Sequence, residues 1–180
     1  PRKKKITARA YFGKYLYNSA ISSRYNLRGD GIRGYYDYPY STTFIGRMET
    51  QGVWAQQFAE GFANVKAPTA YAQSNDWNAA INIYTDLPIP FFKVFVDVAG
   101  APYAFLSNNG LSSGVNVVAD AGIYVKIVGD ALTIYVPFWV SKLIADEYDV
   151  NNRRFHERIR FTLNLLKYKP NLLTKTVKLF

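Results

Sequence analysis

The sequence has no cysteine and only one histidine and one methionine among its 180 residues. The absence of cysteine excludes disulfides, thiolate metal ligands and a cysteine nucleophile. The single histidine, His156, cannot supply an H-E-x-x-H zinc site, which needs two histidines one helical turn apart. The sequence also contains no G-x-S-x-G elbow and no Walker loop. We therefore expect no catalytic residue, no metal and no cofactor in this segment.

Long apolar runs are also missing. No stretch approaches the ~18 uninterrupted apolar residues of a membrane-spanning helix, so any insertion into a bilayer would have to use strands. The mean hydropathy of −0.13 is compatible with that reading, because polar residues facing a barrel lumen dilute the average. The first residues also lack the apolar core of a signal peptide. We therefore expect either a signal that has been removed or the end of a longer polypeptide.

The net charge of +9 could indicate a nucleic-acid or anionic-lipid partner. The lysines and arginines are scattered, however, and the one dense run is at positions 2–5. We therefore predict no nucleic-acid partner.

Five stretches of the chain alternate apolar and polar residues with a period of two. In the clearest one, Val94, Val96 and Val98 point to one side, while Phe95 and Asp97 point to the other. One face would suit lipid and the opposite face a wet or packed lumen. The residues predicted to face lipid are Val94, Val96, Val98, Ile123, Val125, Ile134, Val136, Phe161 and Leu163.

Aromatic residues are abundant, with 15 Tyr and 12 Phe. Tyrosine and tryptophan combine an apolar body with a polar tip, which suits the headgroup level of a bilayer, where barrels carry aromatic girdles. The same residues could instead be core or hairpin-edge aromatics of a soluble β protein.

Turn residues divide the chain into strands and connections. The predicted strands cover residues 4–17, 77–86, 92–100, 116–128, 131–140 and 157–168. The connections alternate between short turns and long loops, and 141–156 is one of the long loops. In outer-membrane barrels short turns face the periplasm and long loops face outside. The predicted organisation is a barrel strand at 1–17, a long extracellular or lumenal loop at 18–76, five barrel strands at 77–168 and a C-terminal tail at 169–180.

Six strands do not close a membrane barrel, since even the small ones use eight. Open sheet edges cannot stand in lipid. The predicted fold class is therefore all-β: the C-terminal strands of an antiparallel transmembrane β-barrel, with one long inward-folding loop. The expected partners are outer-membrane lipid and either the remaining strands of the same protein or another outer-membrane or periplasmic subunit.

The segment Arg-Gly-Asp-Gly-Ile-Arg-Gly-Tyr-Tyr at 28–36 resembles the V/I-R-G-F/Y motif of the BamA and FhaC-like superfamily, also called the bacterial surface antigen family. In that family the motif lies on a long loop that folds back into the lumen before the last five strands. The resemblance makes Arg33, Gly34 and Tyr35 the loop motif and Asp97 the acidic partner of Arg33 on the barrel wall. A guanidinium in a lumen needs a carboxylate to offset its desolvation. A solvated Arg33, and an Asp97 paired with Lys93 or Lys126, remain alternatives.

A closer resemblance joins the Arg33–Ser41 stretch with Phe44–Arg47 and Asp76–Ala80. Together these look like the C-terminal region of large Bacteroidota proteins of the gluzincin metallopeptidase type, in which a zinc-peptidase domain precedes a surface-antigen-like barrel. The resemblance implies an outer-membrane anchor of a metallopeptidase-like protein, or a subunit of an envelope assembly complex. An outer-membrane insertion or translocation pore and a soluble β-sandwich binding module are the alternatives.

Overall fold

The computed structural model describes residues 5–17, 27–29, 64–87, 92–102, 114–127 and 131–163. In chain order the strands are β1 (Ile6–Lys14), β2 (Leu27–Arg28), β3 (Gln73–Ser74), β4 (Trp77–Asp86), β5 (Phe92–Pro102), β6 (Val115–Lys126), β7 (Leu132–Val140) and β8 (Arg160–Leu163). Helix α1 (Lys142–Val150) and a 3₁₀ helix (Phe155–Arg158) lie between β7 and β8. No helix in these ranges is long and apolar enough to cross a membrane.

Six strands form one curled antiparallel sheet in the order β1-β4-β5-β6-β7-β8, which has the shape of half a barrel. The two short strands β2 and β3 pair separately as a small ribbon. Sequential strands are neighbours throughout the larger sheet because each alternates side chains at period two and is joined to the next by a reversing connection. The prediction of a six-stranded antiparallel sheet is confirmed, in a structure that is mostly β with little helix.

Most strand boundaries differ from the predicted ones by one to three residues, and two segments differ in kind. The last strand, predicted over 157–168, begins only at Arg160, because Phe155–Arg158 forms the 3₁₀ helix; residues 164–168 lie outside the described ranges. The connection predicted as a loop over 141–156 contains the helix α1. Its residues Ile144 and Tyr148 are one helical turn apart and both are buried, so packing explains why a helix forms here.

The two faces of the sheet have opposite surroundings. The covered face lies beneath residues 64–72, which we call the inner segment, and beneath α1. Along β5 the buried positions are Phe95, Asp97, Ala99 and Ala101, whereas the intervening valines are partly or largely exposed. The same alternation runs along β6. We call the second side, which no described element covers, the open face.

A β-bulge changes the register between β6 and β7 at Ala121 and Gly122. A Cβ added to Gly122 would overlap the carbonyl oxygen of Val136 and come within 2.8 Å of the Pro137 Cα. Only glycine therefore allows β7 to approach β6 this closely at the bulge.

Replacing Gly122 by alanine should therefore destabilise the fold by about 1–3 kcal/mol, because the backbone of β7 must move to accept the methyl group. Gly100→Ala is the matched control in β5, since the nearest atom to its added Cβ is 3.8 Å away. Urea-induced unfolding of both variants measures the effect. Equal stabilities for the two variants would show that the bulge tolerates a side chain.

Candidate functional site

A row of polar side chains crosses four neighbouring strands on the covered face. Arg9 in β1 opposes Asn82 in β4, Asn82 opposes Asp97 in β5, and Asp97 opposes Asp120 in β6. Asn82 and both aspartates are fully buried. Like charges directly opposite one another across two strands repel. The two aspartates therefore require cationic or N–H partners close by.

Lys66 of the inner segment supplies the first of these partners. Its side chain is fully buried, and Nζ lies 3.5 Å from Asp97 Oδ2. The same ammonium donates to the Tyr84 hydroxyl at 3.1 Å and lies 5.2 Å from the centre of the Tyr135 ring. Asp97 also accepts a 2.7 Å hydrogen bond from Asn82 Nδ2. A buried ammonium is thus surrounded by a carboxylate, a hydroxyl and aromatic faces, which together offset its desolvation.

Asp120 binds the backbone of Lys66 and of the following residue. Its Oδ2 accepts hydrogen bonds from the N–H groups of Lys66 and Ala67, at 2.9 and 2.6 Å. The carbonyl of Lys66 accepts a 3.1 Å hydrogen bond from Arg160 Nε in β8. Lys66 therefore binds Asp97 through its ammonium and Asp120 through its backbone N–H, while Arg160 binds its carbonyl. The N–H, the carbonyl and the ammonium of Lys66 are thus all bound to residues of the sheet strands.

Asparagines fix the rest of the inner segment. Asn82 Nδ2 donates to the Asn64 carbonyl at 2.8 Å, and Asn64 Nδ2 donates to Asn78 Oδ1 at 2.9 Å. Asn78 Nδ2 in turn reaches the Ala72 carbonyl at 2.8 Å. Buried backbone without regular secondary structure must find partners of this kind. The amides therefore hold the segment at both of its ends.

Helix α1 holds the inner segment from the opposite side. Glu147 accepts from the Thr69 hydroxyl at 2.6 Å and from the Ala70 N–H at 3.0 Å. Ile144 and Tyr148 pack in one apolar cluster with residues of the segment and of β4, β5 and β6. Burial raises the pKa of the Tyr148 phenol above its ordinary value, while neighbouring arginines oppose that shift. Tyr148 therefore stays protonated and acts as a packing residue.

The structure describes part of the predicted loop motif. Gly29 is buried, its N–H donates to the Ala72 carbonyl at 2.6 Å, and its carbonyl accepts from the Val65 N–H at 2.9 Å. A side chain at Gly29 would meet Ala72 at 2.8 Å. The beginning of the motif therefore packs directly on the inner segment. The remaining motif residues Arg33, Gly34 and Tyr35 lie outside the described residues.

Asp97 is at the centre of the network, with Lys66 as its described cationic partner. The alternative partner Lys93 forms an ion pair with Asp86 instead, with 2.7 Å between Nζ and Oδ1. The contact expected between Arg33 and Asp97 stays a prediction. Sequence reasoning missed Lys66, because it lies in a stretch without strand periodicity. It placed Asp120 on the polar face but did not assign it a role, although both aspartates follow the same period-two pattern.

All nine residues predicted to face lipid lie outside the buried set. Val96, Val98 and Leu163 are 38%, 39% and 37% exposed, and the others are half-buried by their neighbours. Contact with lipid itself stays a prediction.

The only histidine lies on the 3₁₀ helix and is exposed. Its neighbour Glu157 accepts a 2.9 Å hydrogen bond from the Arg154 N–H, so this carboxylate caps the helix. Within the described ranges no three His, Cys, Asp or Glu side chains are grouped to hold a metal ion.

Comparison with protein-family models, with curated proteins and with solved structures finds no match to this chain.

Replacing Lys66 by methionine should destabilise the fold by about 3–5 kcal/mol, because two opposed aspartates then lose their buried ammonium. Adding Asp97→Asn to that variant should recover part of the loss, since one of the two repelling charges is removed. Lys93→Met is the control for a half-exposed ion pair and should have little effect. A double-mutant cycle by urea unfolding measures the coupling. Additive effects of Lys66→Met and Asp97→Asn would contradict the proposed pairing.

Proposed function

We propose that this chain forms part of the wall of a transmembrane β-barrel in a bacterial outer membrane and anchors a larger protein there. The observation that carries the proposal is the polarity of the sheet. Its covered face holds the buried residues Asn82, Asp97, Asp120 and Arg160, whereas its open face is apolar. A soluble sheet places its apolar side chains against the core and its polar ones toward water. The inverted arrangement suits a wall between a lumen and lipid.

The open face is apolar across several strands at once. One row passes from Ala8 through Ile83, Val96 and Ala121 to Trp139, following the pairing of five strands. The next row adds Ala10, Ile81, Val98 and Ala119. Monomeric soluble proteins rarely expose continuous apolar patches beyond roughly 300–600 Å². Lipid would remove the cost of leaving this face in water, about 25 cal/mol per Å².

Strand lengths and aromatic positions agree with this proposal. The five long strands of the sheet contain 9–12 residues each, close to the roughly 9–11 that a tilted strand needs to cross a bilayer. Phe12 and Trp77 stack at 6.4 Å where β1 ends and β4 begins, and Trp139 near the end of β7 is 56% exposed. Aromatic side chains at strand ends are typical of the interfacial girdle.

The identity of the anchored protein rests on the sequence resemblance. We propose a metallopeptidase-like protein or a subunit of an envelope assembly complex, with further strands supplied by the same protein or by another subunit. Among the described strands, β1 and β8 are the two edges of the sheet, and this supports the need for further strands, since open edges do not occur in lipid. An insertion or translocation pore is the second candidate, and the inner segment bound within the curl of the sheet favours it. An upstream H-E-x-x-H motif would select the peptidase anchor, and POTRA-type domains would select the pore.

Site-directed fluorescence quenching tests the membrane placement. The chain has no cysteine, so Val96→Cys and Ile81→Cys can each carry one environment-sensitive label in the full-length protein. With nitroxide groups in the middle of the lipid acyl chains, both labels should be strongly quenched in vesicles. The control is Ile127→Cys, just beyond the end of β6, which should respond more to nitroxides on the headgroups.

Absence of quenching at Val96 and Ile81, in a protein that stays soluble without detergent, would overturn the proposal. That outcome would favour the soluble β-sandwich, in which a second protein layer covers the open face.

A further inference from the structure

The connection between α1 and β8 contains the arginines Arg153, Arg154 and Arg158. Within the described ranges, none of the three forms an ion pair with a carboxylate. The nearest glutamates in the sequence are occupied, because Glu147 binds the inner segment and Glu157 binds the Arg154 N–H. The aspartates Asp146 and Asp149 of α1 are exposed, and within the described ranges neither forms an ion pair with these arginines.

Two of the arginines are held close together. The Arg158 and Arg153 guanidinium carbons lie 4.6 and 5.6 Å from the centre of the Tyr148 ring. Arg158 also donates to the Arg153 carbonyl at 3.5 Å, and its buried Nε has no hydrogen-bond acceptor among the described residues. Two guanidinium groups fixed at one ring repel each other. An anion that accepts hydrogen bonds from both would relieve that repulsion.

Exposed aromatic residues lie beside this cluster. Phe155 stacks on Phe138 with 6.2 Å between the ring centres, and the two are 49% and 60% exposed. Trp139 is next to Phe138 in the chain and is also largely exposed. Aromatic side chains next to arginines are typical of the membrane interface, where rings reach the acyl boundary and guanidinium groups reach the phosphates. A dissolved phosphate would use the arginines alone and leave the aromatics in water.

We propose that Arg153, Arg154 and Arg158 bind the phosphate groups of anionic lipid headgroups at the membrane surface beside the end of β7. This inference rests on the proposed function, since it requires the open face to lie in lipid. Arginine suits the task better than lysine, because its planar group can bind phosphate oxygens in a bidentate way. The aromatics Phe138, Trp139 and Phe155 would contact the upper acyl chains of the same lipids.

Native mass spectrometry of the full-length protein in detergent tests the inference. The probes are phosphatidic acid and phosphatidylcholine with identical acyl chains. The unmodified protein should retain phosphatidic acid in preference. The triple variant R153Q/R154Q/R158Q should bind it roughly a hundredfold more weakly, given the attraction expected from three surface arginines. Its phosphatidylcholine binding should change little.

The control removes the same charge elsewhere: K5Q/K14Q/K126Q changes three exposed lysines in β1, β6 and the residue before β1. It should keep the preference for phosphatidic acid. An equal loss in the control would reduce the effect to general electrostatics and overturn the inference. So would full competition by millimolar inorganic phosphate, which would indicate an anion site without lipid specificity.

The quenching measurement at Val96 separates the two proposals. Quenching in the triple variant shows that it is folded and inserted. If Val96 is quenched in the unmodified protein but no preference for phosphatidic acid exists, the inference fails and the membrane proposal stands. If Val96 is not quenched in the unmodified protein, both proposals fail.

Discussion

The attachment of Lys66 to two buried aspartates is the interaction on which the rest of the described structure depends. Asp97 binds the ammonium of Lys66, and Asp120 binds the backbone of the same residue and of Ala67. Neither carboxylate would be stable on this wall without the inner segment, because each would be a buried charge opposite another. The inner segment, which has no regular secondary structure from 64 to 72, would likewise lose the partners of its backbone. The covered face of the sheet and the inner segment therefore depend on each other for stability.

That mutual dependence explains why the sheet can be polar on its covered side. The amides, the carboxylates and Arg160 are satisfied by the inner segment, while α1 adds an apolar cluster around Ile144 and Tyr148. The apolar side chains of the strands are then left on the open face. The bulge at Gly122 shifts the register between β6 and β7, and α1 begins two residues after β7 ends and packs on the covered side. Arg153 and Arg158, which lie between α1 and β8, contact the same tyrosine from their side of its ring.

Much of the fold was predictable because alternate residues of a strand face opposite sides of the sheet, so their polarity indicates what each side contacts. The pattern around Val94, Val96 and Val98 placed Asp97 on the opposite side, and the structure buries that aspartate. The helix over 142–150 was missed, because it is only nine residues long and its packed face is marked by three residues, Leu143, Ile144 and Tyr148. Lys66 could not be found either. A residue in an irregular segment carries no periodic signal, and its partners are 31 and 54 positions away.

The sequence by itself determined the alternation, the approximate strand positions and the separation of apolar from polar faces, because these depend on the local geometry of the extended chain. Only the tertiary structure decided that Asp97 and Asp120 stand opposite each other and that Lys66 is inserted between the sheet and the inner segment. It also decided that Arg153 and Arg158 meet at one tyrosine ring. The physical reason is that register and long-range charge pairing depend on the free-energy cost of burying each polar group. That cost arises only when other parts of the folded chain exclude water from the group.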